Sequence, residues 1–426
     1  MLLDGARRSS NTRRLSPYHD EDERERSARY ETSGSWTTLT HEDRTFDVPF
    51  EHRLRFTRNL WERETDVLAA LLEPDGRRPA RAQFWIDEGV AETHPELKQR
   101  IFAMVERHAP SLELAGPVQI VPGGETIKND VHILERVLKC MHAAQLDRRS
   151  YVVVVGGGAV LDAIGFAAAI AHRGLRLVRV PSTTLAQADS AVGVKNGINL
   201  FHKKNWLGAF DVPWAVIADE TLLETLSDRD FRSGFSEAVK VALLKDARFF
   251  EQLVDDADEI AMRSPEAVRR AIRQSARWHR DHIVHGGDPF EREQARPLDF
   301  GHWSAHRLEA MTQFELRHGE AVAIGVAIDT WYSHLVHGLD EATAQATFDC
   351  LVRLGFTLDH PALDDRDALY EGLEEFRQHL GGELTLTMIA EAGKSVEIHQ
   401  VDLDQMDRAI DQVCGTSRAR RDAGAP

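Results

Sequence analysis

Residues 151–169 read YVVVVGGGAVLDAIGFAAA. The apolar run 151–155, β-branched after its first residue, has the composition of a strand buried on both faces. Three glycines follow, then a small-residue stretch of helical character, so strand, tight turn and helix succeed one another. Lacking Cβ atoms, Gly156, Gly157 and Gly158 let the backbone approach a pyrophosphate, and a helix N-terminus adds free N–H groups and the positive end of its dipole. The usual G-x-G-x-x-G spacing is not met, because its third glycine would fall at Leu161. Taken alone, this turn serves close strand-to-helix packing as well as it serves phosphate binding.

Working outward, strand signals recur at 83–86, 175–180 and 214–218, and residues 131–144 carry Ile133, Leu134, Val137 and Leu138 at helical spacing. This βαβ rhythm predicts a parallel sheet covered by helices, with ligands at the carboxyl ends of the strands. Beyond Thr225 long amphipathic segments take over, at 235–253, 265–284, 303–311 and 320–336. The fold class expected is α/β over 46–224 followed by an all-helical domain over 225–414. Residues 1–45, rich in Arg, Ser, Thr and Glu, read as a mobile leader, and 415–426 as a low-complexity tail.

The chain has 426 residues, of which 42% are hydrophobic and 28% charged, the balance of a globular protein large enough for two ordinary domains. No apolar run approaches the roughly eighteen residues of a membrane span. The first thirty residues hold seven Arg among six acids without an apolar core, which is unlike a secretory signal, so the cytoplasm is the expected location. Cys140, Cys350 and Cys414 have no paired spacing, which argues against a disulfide framework or a cysteine-based zinc knuckle. A net charge of −17 disfavours a nucleic-acid groove but leaves room for a small anionic ligand met by local cations.

Polar residues cluster where the rhythm places strand ends. Asp87 lies in WIDEG, and Glu125 and Lys128 lie in VPGGETIKND; such carboxylates suit ribose hydroxyls, though each also reads as a solvated loop charge. The stretch VPSTTLAQADSAVGVKNGIN (180–199) crowds Ser182, Thr183, Thr184, Gln187, Asp189, Lys195 and Asn196 into a loop too polar for a plain turn. In the helical half, RSGFSEAVK, DFGHWSAHRLE and LRHGEAVAIG bring Glu237 and Lys240 to one helical face and His302 and His306 to another, with His318 opening an apolar helix. One carboxylate and two imidazoles from separate segments suit a catalytic zinc with an open fourth position. With 20 histidines in the chain, an isolated pair at this spacing is more often a surface or core pair.

In chain order the motifs GGExxK, GGGxxxD, P-S-T-T-L-x-Q-x-D-S, GxK, KKN, SGxxExxK, GHxxxH and HGEAVAxG resemble the 3-dehydroquinate synthase family, and more widely the sugar phosphate cyclases, over roughly residues 80–330. The resemblance implies an N-terminal NAD-binding domain, a C-terminal metal domain, an active site between them and a homodimer. It places Glu237, His302 and His318 as ligands of zinc or cobalt. Asp87, Glu125, Lys128, Gly157, Gly158, Asp162, Ser182, Thr183, Thr225 and Leu226 fall on NAD-holding positions. Arg173, Lys195, Asn205 and His306 fall around the substrate phosphate, Asp189, Lys240 and Asp299 near the sugar hydroxyls, and Lys204 is a further expected substrate-binding residue. In such enzymes NAD is recycled: a hydroxyl is oxidised, phosphate leaves by β-elimination, the ketone is reduced again, and the ring closes by aldol addition.

The departures lie where the substrate should be read. Dehydroquinate synthases carry a lysine about twenty residues before the first zinc histidine that helps hold the substrate carboxylate; counted without gaps, that place is Asp281. R-x-L-L-N-x-G-H becomes ARPLDFGH, so Asp299 replaces Asn and the arginine falls one place late, at Arg296; GGKTG becomes GVKNG, and a C-terminal lysine has no counterpart near FRQHLGGELTL. A carboxylate at 281 repels a carboxylated substrate and accepts a hydrogen bond from a hydroxymethyl group. The expected substrate is therefore sedoheptulose 7-phosphate, and the GVKNGIN and DFGHWSAH wording resembles the 2-epi-valiolone synthase type. Ordinary 3-dehydroquinate synthase, a metal-dependent polyol dehydrogenase and an NAD-binding pseudoenzyme are the competing readings.

Overall fold

The computed structural model describes residues 43–201, 203–291, 298–379 and 382–422. Phe50–Pro426 forms one compact unit, and residues 43–49 carry no regular secondary structure, so packing begins slightly later than the expected Phe46. The strands are β1 (Leu54–Thr57), β2 (Ala80–Asp87), β3 (Leu112–Leu114), β4 (Gln119–Val121), β5 (Tyr151–Gly156), β6 (Arg176–Pro181), β7 (Lys195–Leu200), β8 (Lys203–Phe210), β9 (Ala215–Asp219), β10 (Leu386–Glu391) and β11 (Lys394–Ile398). Among them run α1 (Thr65–Leu71), α2 (Glu88–Thr93), α3 (Leu97–Arg107), α4 (Thr126–Asn129), α5 (Val131–Ala143) and α6 (Gly158–Ile170). The helical part comprises α7 (Asp228–Lys245), α8 (Ala247–Ala261), α9 (Pro265–His285), α10 (His302–Met311), α11 (His318–His337), α12 (Glu341–Arg353), α13 (Arg366–His379) and α14 (Leu403–Asp422).

Seven strands make one parallel sheet in the order β1-β9-β6-β5-β2-β3, with β4 also paired to β2. The run YVVVV is apolar throughout because β5 is covered twice. Tyr151, Val153 and Val155 pack with Leu68, Ile101 and Met104 of α1 and α3, while Val152 and Val154 pack with Val137 and Ile164 of α5 and α6. Parallel pairing puts Asp87, Gly156, Pro181 and Asp219 at the same edge of the sheet, which becomes the floor of the cleft.

Four features differ from the sequence expectation. The polar loop after β6 contains a π-helical turn, Ala186–Ser190, and its last third is strand β7 of an antiparallel hairpin with β8. The helical part holds a second antiparallel hairpin, β10–β11, and so is not entirely helical. The expected segment 235–253 is two helices broken at Asp246, whose carboxylate caps α8 through the N–H groups of Arg248 and Phe249, and the expected tail is helical as far as Asp422. No helix among the described residues is long and apolar enough to cross a membrane.

The start of α10 is pinned to α11 by a buried carboxyl. Asp329 accepts from the Gly301 N–H at 2.8 Å and from Trp303 Nε1 at 2.9 Å, and Gly301 has a left-handed φ of 78° at a contact where a Cβ would press on Val326 N at 2.6 Å. Burial pushes the Asp329 pKa up to about 7 despite both donors. The folded state therefore holds this proton more tightly than the unfolded one, and the group's contribution to stability shrinks as pH rises from about 4 to about 7. Chemical denaturation across that range should show wild-type stability falling relative to Asp329→Asn. Asp329→Ala should cost on the order of 2–5 kcal/mol, because two buried donors lose their acceptor.

Candidate active site

A cleft of about 330 Å³ opens between the sheet edge and the helical part, lined among others by Asp162, Asp189, Lys195, Asn205, Lys240, Asp299, His302, His306 and His318. At its deep end the fully buried Glu237 carries two kinds of partner. Oε2 pairs with Lys240 one turn along α7, while Oε1 lies 3.4 Å from His302 Nε2 and 3.2 Å from His318 Nε2. These ligand atoms lie within 4.8 Å of one another and come from the starts of α10 and α11 and the middle of α7. Burial alone would raise the Glu237 pKa, but Lys240 and then the imidazoles hold it well below the usual carboxylate range. An anionic oxygen and two imidazole nitrogens converging on one point are a donor set for a divalent cation. His306 is also brought here, its ring centroid 5.4 Å from that of His302 and 5.9 Å from that of His318.

The glycine turn lies at the other side of the cleft. Gly157 precedes the first turn of α6, which has no side-chain cap, so the helix presents its N-terminal end at the sheet edge, a disposition suited to an anion. The turn also packs tightly: a Cβ at Gly158 would meet Ser190 Oγ at 2.9 Å, and one at Gly156 would meet Asp87 Cβ at 3.1 Å. Asp87 caps α2 through Gly89 N–H at 2.9 Å, and burial raises its pKa. Lys128 Nζ reaches Asp162 at 2.9 Å, Glu125 accepts from Asn199 at 3.2 Å, and Ser182 donates its N–H to Gly156 at 2.9 Å. Thr183 accepts from Ala186 N–H at 3.1 Å, the Thr225 hydroxyl lies 3.0 Å from His94 Nε2, and the Leu226 carbonyl accepts from Arg263.

Two expected substrate residues, Arg173 and Asp281, are not in the cleft wall. Arg173 is exposed with φ 64° just after α6, at the end of the sheet where β6 begins, opposite the cleft. Arg296 lies outside the described residues. Asp281 does not line the cleft; its carboxylate pairs with Arg280 at 2.6 Å. The reason is helical phase: the residues of α9 that face the cleft are His279, His282 and Ile283, followed by Gly286 just past its end, a three-and-four spacing from which 281 is rotated away. Lys204 is held beside the cleft by Glu309 at 3.0 Å and by the Phe314 ring at 4.5 Å.

Four residues are added to those expected. Arg179 on β6 is fully buried and donates to the carbonyls of Ala191 (3.0 Å), Gly193 (2.8 Å) and Lys195 (3.0 Å) and to Asn196 Oδ1 (2.6 Å), which fastens the stretch between Asp189 and Lys195 to the sheet. An arginine in the interior of an otherwise apolar strand, the second one of RLVRVP, was the signal for it. His279 is buried, with Nδ1 3.1 Å from Asp189 Oδ1 and no partner at Nε2. Glu291 pairs with Lys195 at 2.7 Å, and Glu309 lies behind His318.

Comparison with known proteins identifies the family. Family profiles described as 3-dehydroquinate synthase N-terminal and 3-dehydroquinate synthase C-terminal match residues 118–233 and 234–376. The chain belongs to the 3-dehydroquinate synthase family. It is 35% identical over 354 residues to a 3-dehydroquinate synthase of Cereibacter sphaeroides, covering 82% of this chain and 92% of that protein. A 3-dehydroquinate synthase of Rhodopseudomonas palustris is 37% identical over 297 residues, 66% of this chain and 76% of the relative. The 2-epi-5-epi-valiolone synthase of Streptomyces hygroscopicus subsp. jinggangensis, solved with NAD+ and Zn2+ bound, shares the fold at a TM-score of 0.76 and 24% identity, over 89% of this chain and all 100% of that one. The protein is thus an enzyme of the sugar phosphate cyclase type, a carbon–oxygen lyase.

Replacing His318 by Ala should strip the purified protein of its metal and abolish turnover, read by elemental analysis beside wild type. Full metal occupancy in that variant would remove His318 from the ligand set.

Proposed function

We propose that this enzyme cyclises sedoheptulose 7-phosphate to a C7 cyclitol of the 2-epi-valiolone type, releasing phosphate, with NAD held at Gly157–Asp162 and a divalent metal, Zn2+ or Co2+, held by Glu237, His302 and His318. One observation carries the substrate choice: the face of α9 that lines the cleft presents the His279 imidazole and no lysine or arginine that could meet a substrate carboxylate. With Nδ1–H donated to Asp189, the ring offers only a lone pair at Nε2. Burial, abetted by Lys240 and opposed by Asp189, lowers the His279 pKa and favours the neutral ring. A lone pair repels a carboxylate and accepts from a hydroxymethyl group. The cations of the described cleft wall are Lys195, suited to the phosphate, and Lys240, already paired with Glu237.

Bound there, NAD supplies reversible hydride transfer and the metal supplies Lewis acidity. The chain's own part is to place the substrate between them. Lys195 exchanges Glu291 for the phosphate, with Asn205 and His306 beside it. Asp189, Asp299 and Lys240 meet the sugar hydroxyls, and Lys240 stays an ammonium because Glu237 outweighs the cost of its burial.

The competing reading is 3-dehydroquinate synthase itself, favoured by the names of relatives at 35% and 37% identity. Phosphate release measured side by side separates the two. We expect a higher kcat/KM for sedoheptulose 7-phosphate than for the carboxylated seven-carbon ketose phosphate, and a loss of about tenfold or more on the former in His279→Lys, the worth of one hydrogen bond near ~1.4 kcal/mol. A higher kcat/KM for the carboxylated substrate restores dehydroquinate synthase.

A further inference from the structure

Glu309 is a buried carboxylate with no place in the expected ligand or substrate sets, and both of its oxygens are committed. Oε2 lies 3.1 Å from His318 Nδ1, and Oε1 accepts from Lys204 Nζ at 3.0 Å. Only 4% of the residue is exposed, so these bonds are not screened as surface pairs are. His318 Nε2 is the nitrogen facing Glu237, so a proton on Nδ1 directed at Glu309 leaves the Nε2 lone pair for the metal. Lys204 belongs to β8, the outer strand of the hairpin whose neighbouring residue Asn205 lines the cleft. The same side chain lies over the Phe314 ring, on the segment between α10 and α11.

We propose that Glu309 is a positioning residue that ties the metal centre to the β7–β8 hairpin, orienting His318 with one oxygen and holding the hairpin through Lys204 with the other. Metal binding and the placement of Asn205 then depend on one carboxylate. The inference rests on Glu237, His302 and His318 as the metal ligands and is independent of which sugar phosphate is the substrate. A competing arrangement exists in the same atoms: His306, Glu309 and His318 also lie close enough to hold an ion themselves, which would make Glu309 a ligand.

The test uses the full-length chain, stripped of metal and then titrated with Zn2+ against a chromophoric chelator, together with hydrogen exchange of the hairpin in the zinc-loaded protein. Glu309→Gln keeps the shape and removes the charge. It should weaken zinc affinity by about 10–100-fold while the circular dichroism of the metal-free variant matches wild type. Hairpin amides should exchange faster in this variant. Lys204→Met should speed hairpin exchange to a similar degree while changing zinc affinity by less than the Gln variant does, and the double variant should exchange no faster than either single one. Zinc affinity within twofold of wild type in Glu309→Gln, or unchanged hairpin exchange in both variants, overturns the proposal. So does binding of two zinc ions per wild-type chain, which would place one on Glu309. A wild-type chain that binds no zinc at all defeats the ligand assignment and this inference with it.

Discussion

The helical half is organised by the cost of burying Glu237. A carboxylate with no exposure must be met by positive or metal-binding groups, or it costs several kcal/mol. Lys240 answers from the same helix, and His302 and His318 from the starts of two others. That demand fixes where α10 and α11 may begin. Gly301 in its left-handed turn and Asp329 beneath it supply the close approach, and Gly319 and Gly325 make the same concession, since a Cβ at either would press on the Ser233 or Gly301 carbonyl oxygen. The convergence of this donor set is therefore a property of helix packing and not of one flexible loop.

The sheet half answers a second demand, that of Arg179. Its terminal nitrogens have no carboxylate partner among the described residues and donate to the carbonyls of Ser190, Ala191, Gly193 and Lys195 and to the amide oxygen of Asn196, all on the stretch that runs from the π-helical turn into β7. A polar loop that would otherwise be mobile is thus held to the sheet, with Asp189 at one end and Lys195 at the other. The cleft lies between these two buried charges, one in each half. Lys195 and Lys204 are meanwhile paired with Glu291 and Glu309, so both of these lysines at or beside the cleft already carry carboxylate partners.

Much of this could be read from the chain. The parallel sheet follows from YVVVV and its glycine turn, because buried apolar runs are local properties, and motif order singled out Glu237, His302 and His318, whose donor atoms the structure brings within 4.8 Å of one another. What failed depended on register or on partners distant in sequence. Asp281 was placed by counting without gaps; the helical face that enters the cleft runs through His279 and His282 instead, two residues before and one after the counted position. The β7–β8 hairpin was hidden because its strands are polar and its outer strand largely exposed, so no alternation marks it. Arg173 matched a family position by its neighbours in the chain, yet the turn that carries it points to the opposite end of the sheet. Glu309 was visible only as the last letter of HWSAHRLE; its meaning needed the distances to His318 and Lys204.

The central claim is that hydride chemistry, elimination and closure share one cleft, with NAD returned unchanged. Rapid-mixing absorbance of the NAD- and zinc-loaded enzyme with sedoheptulose 7-phosphate tests it most directly. The account predicts an NADH signal that rises and decays within each turnover while phosphate continues to accumulate. NADH that builds in step with product would contradict it and mark a dehydrogenase, and phosphate release with no transient NADH in any variant or substrate would remove the redox step altogether.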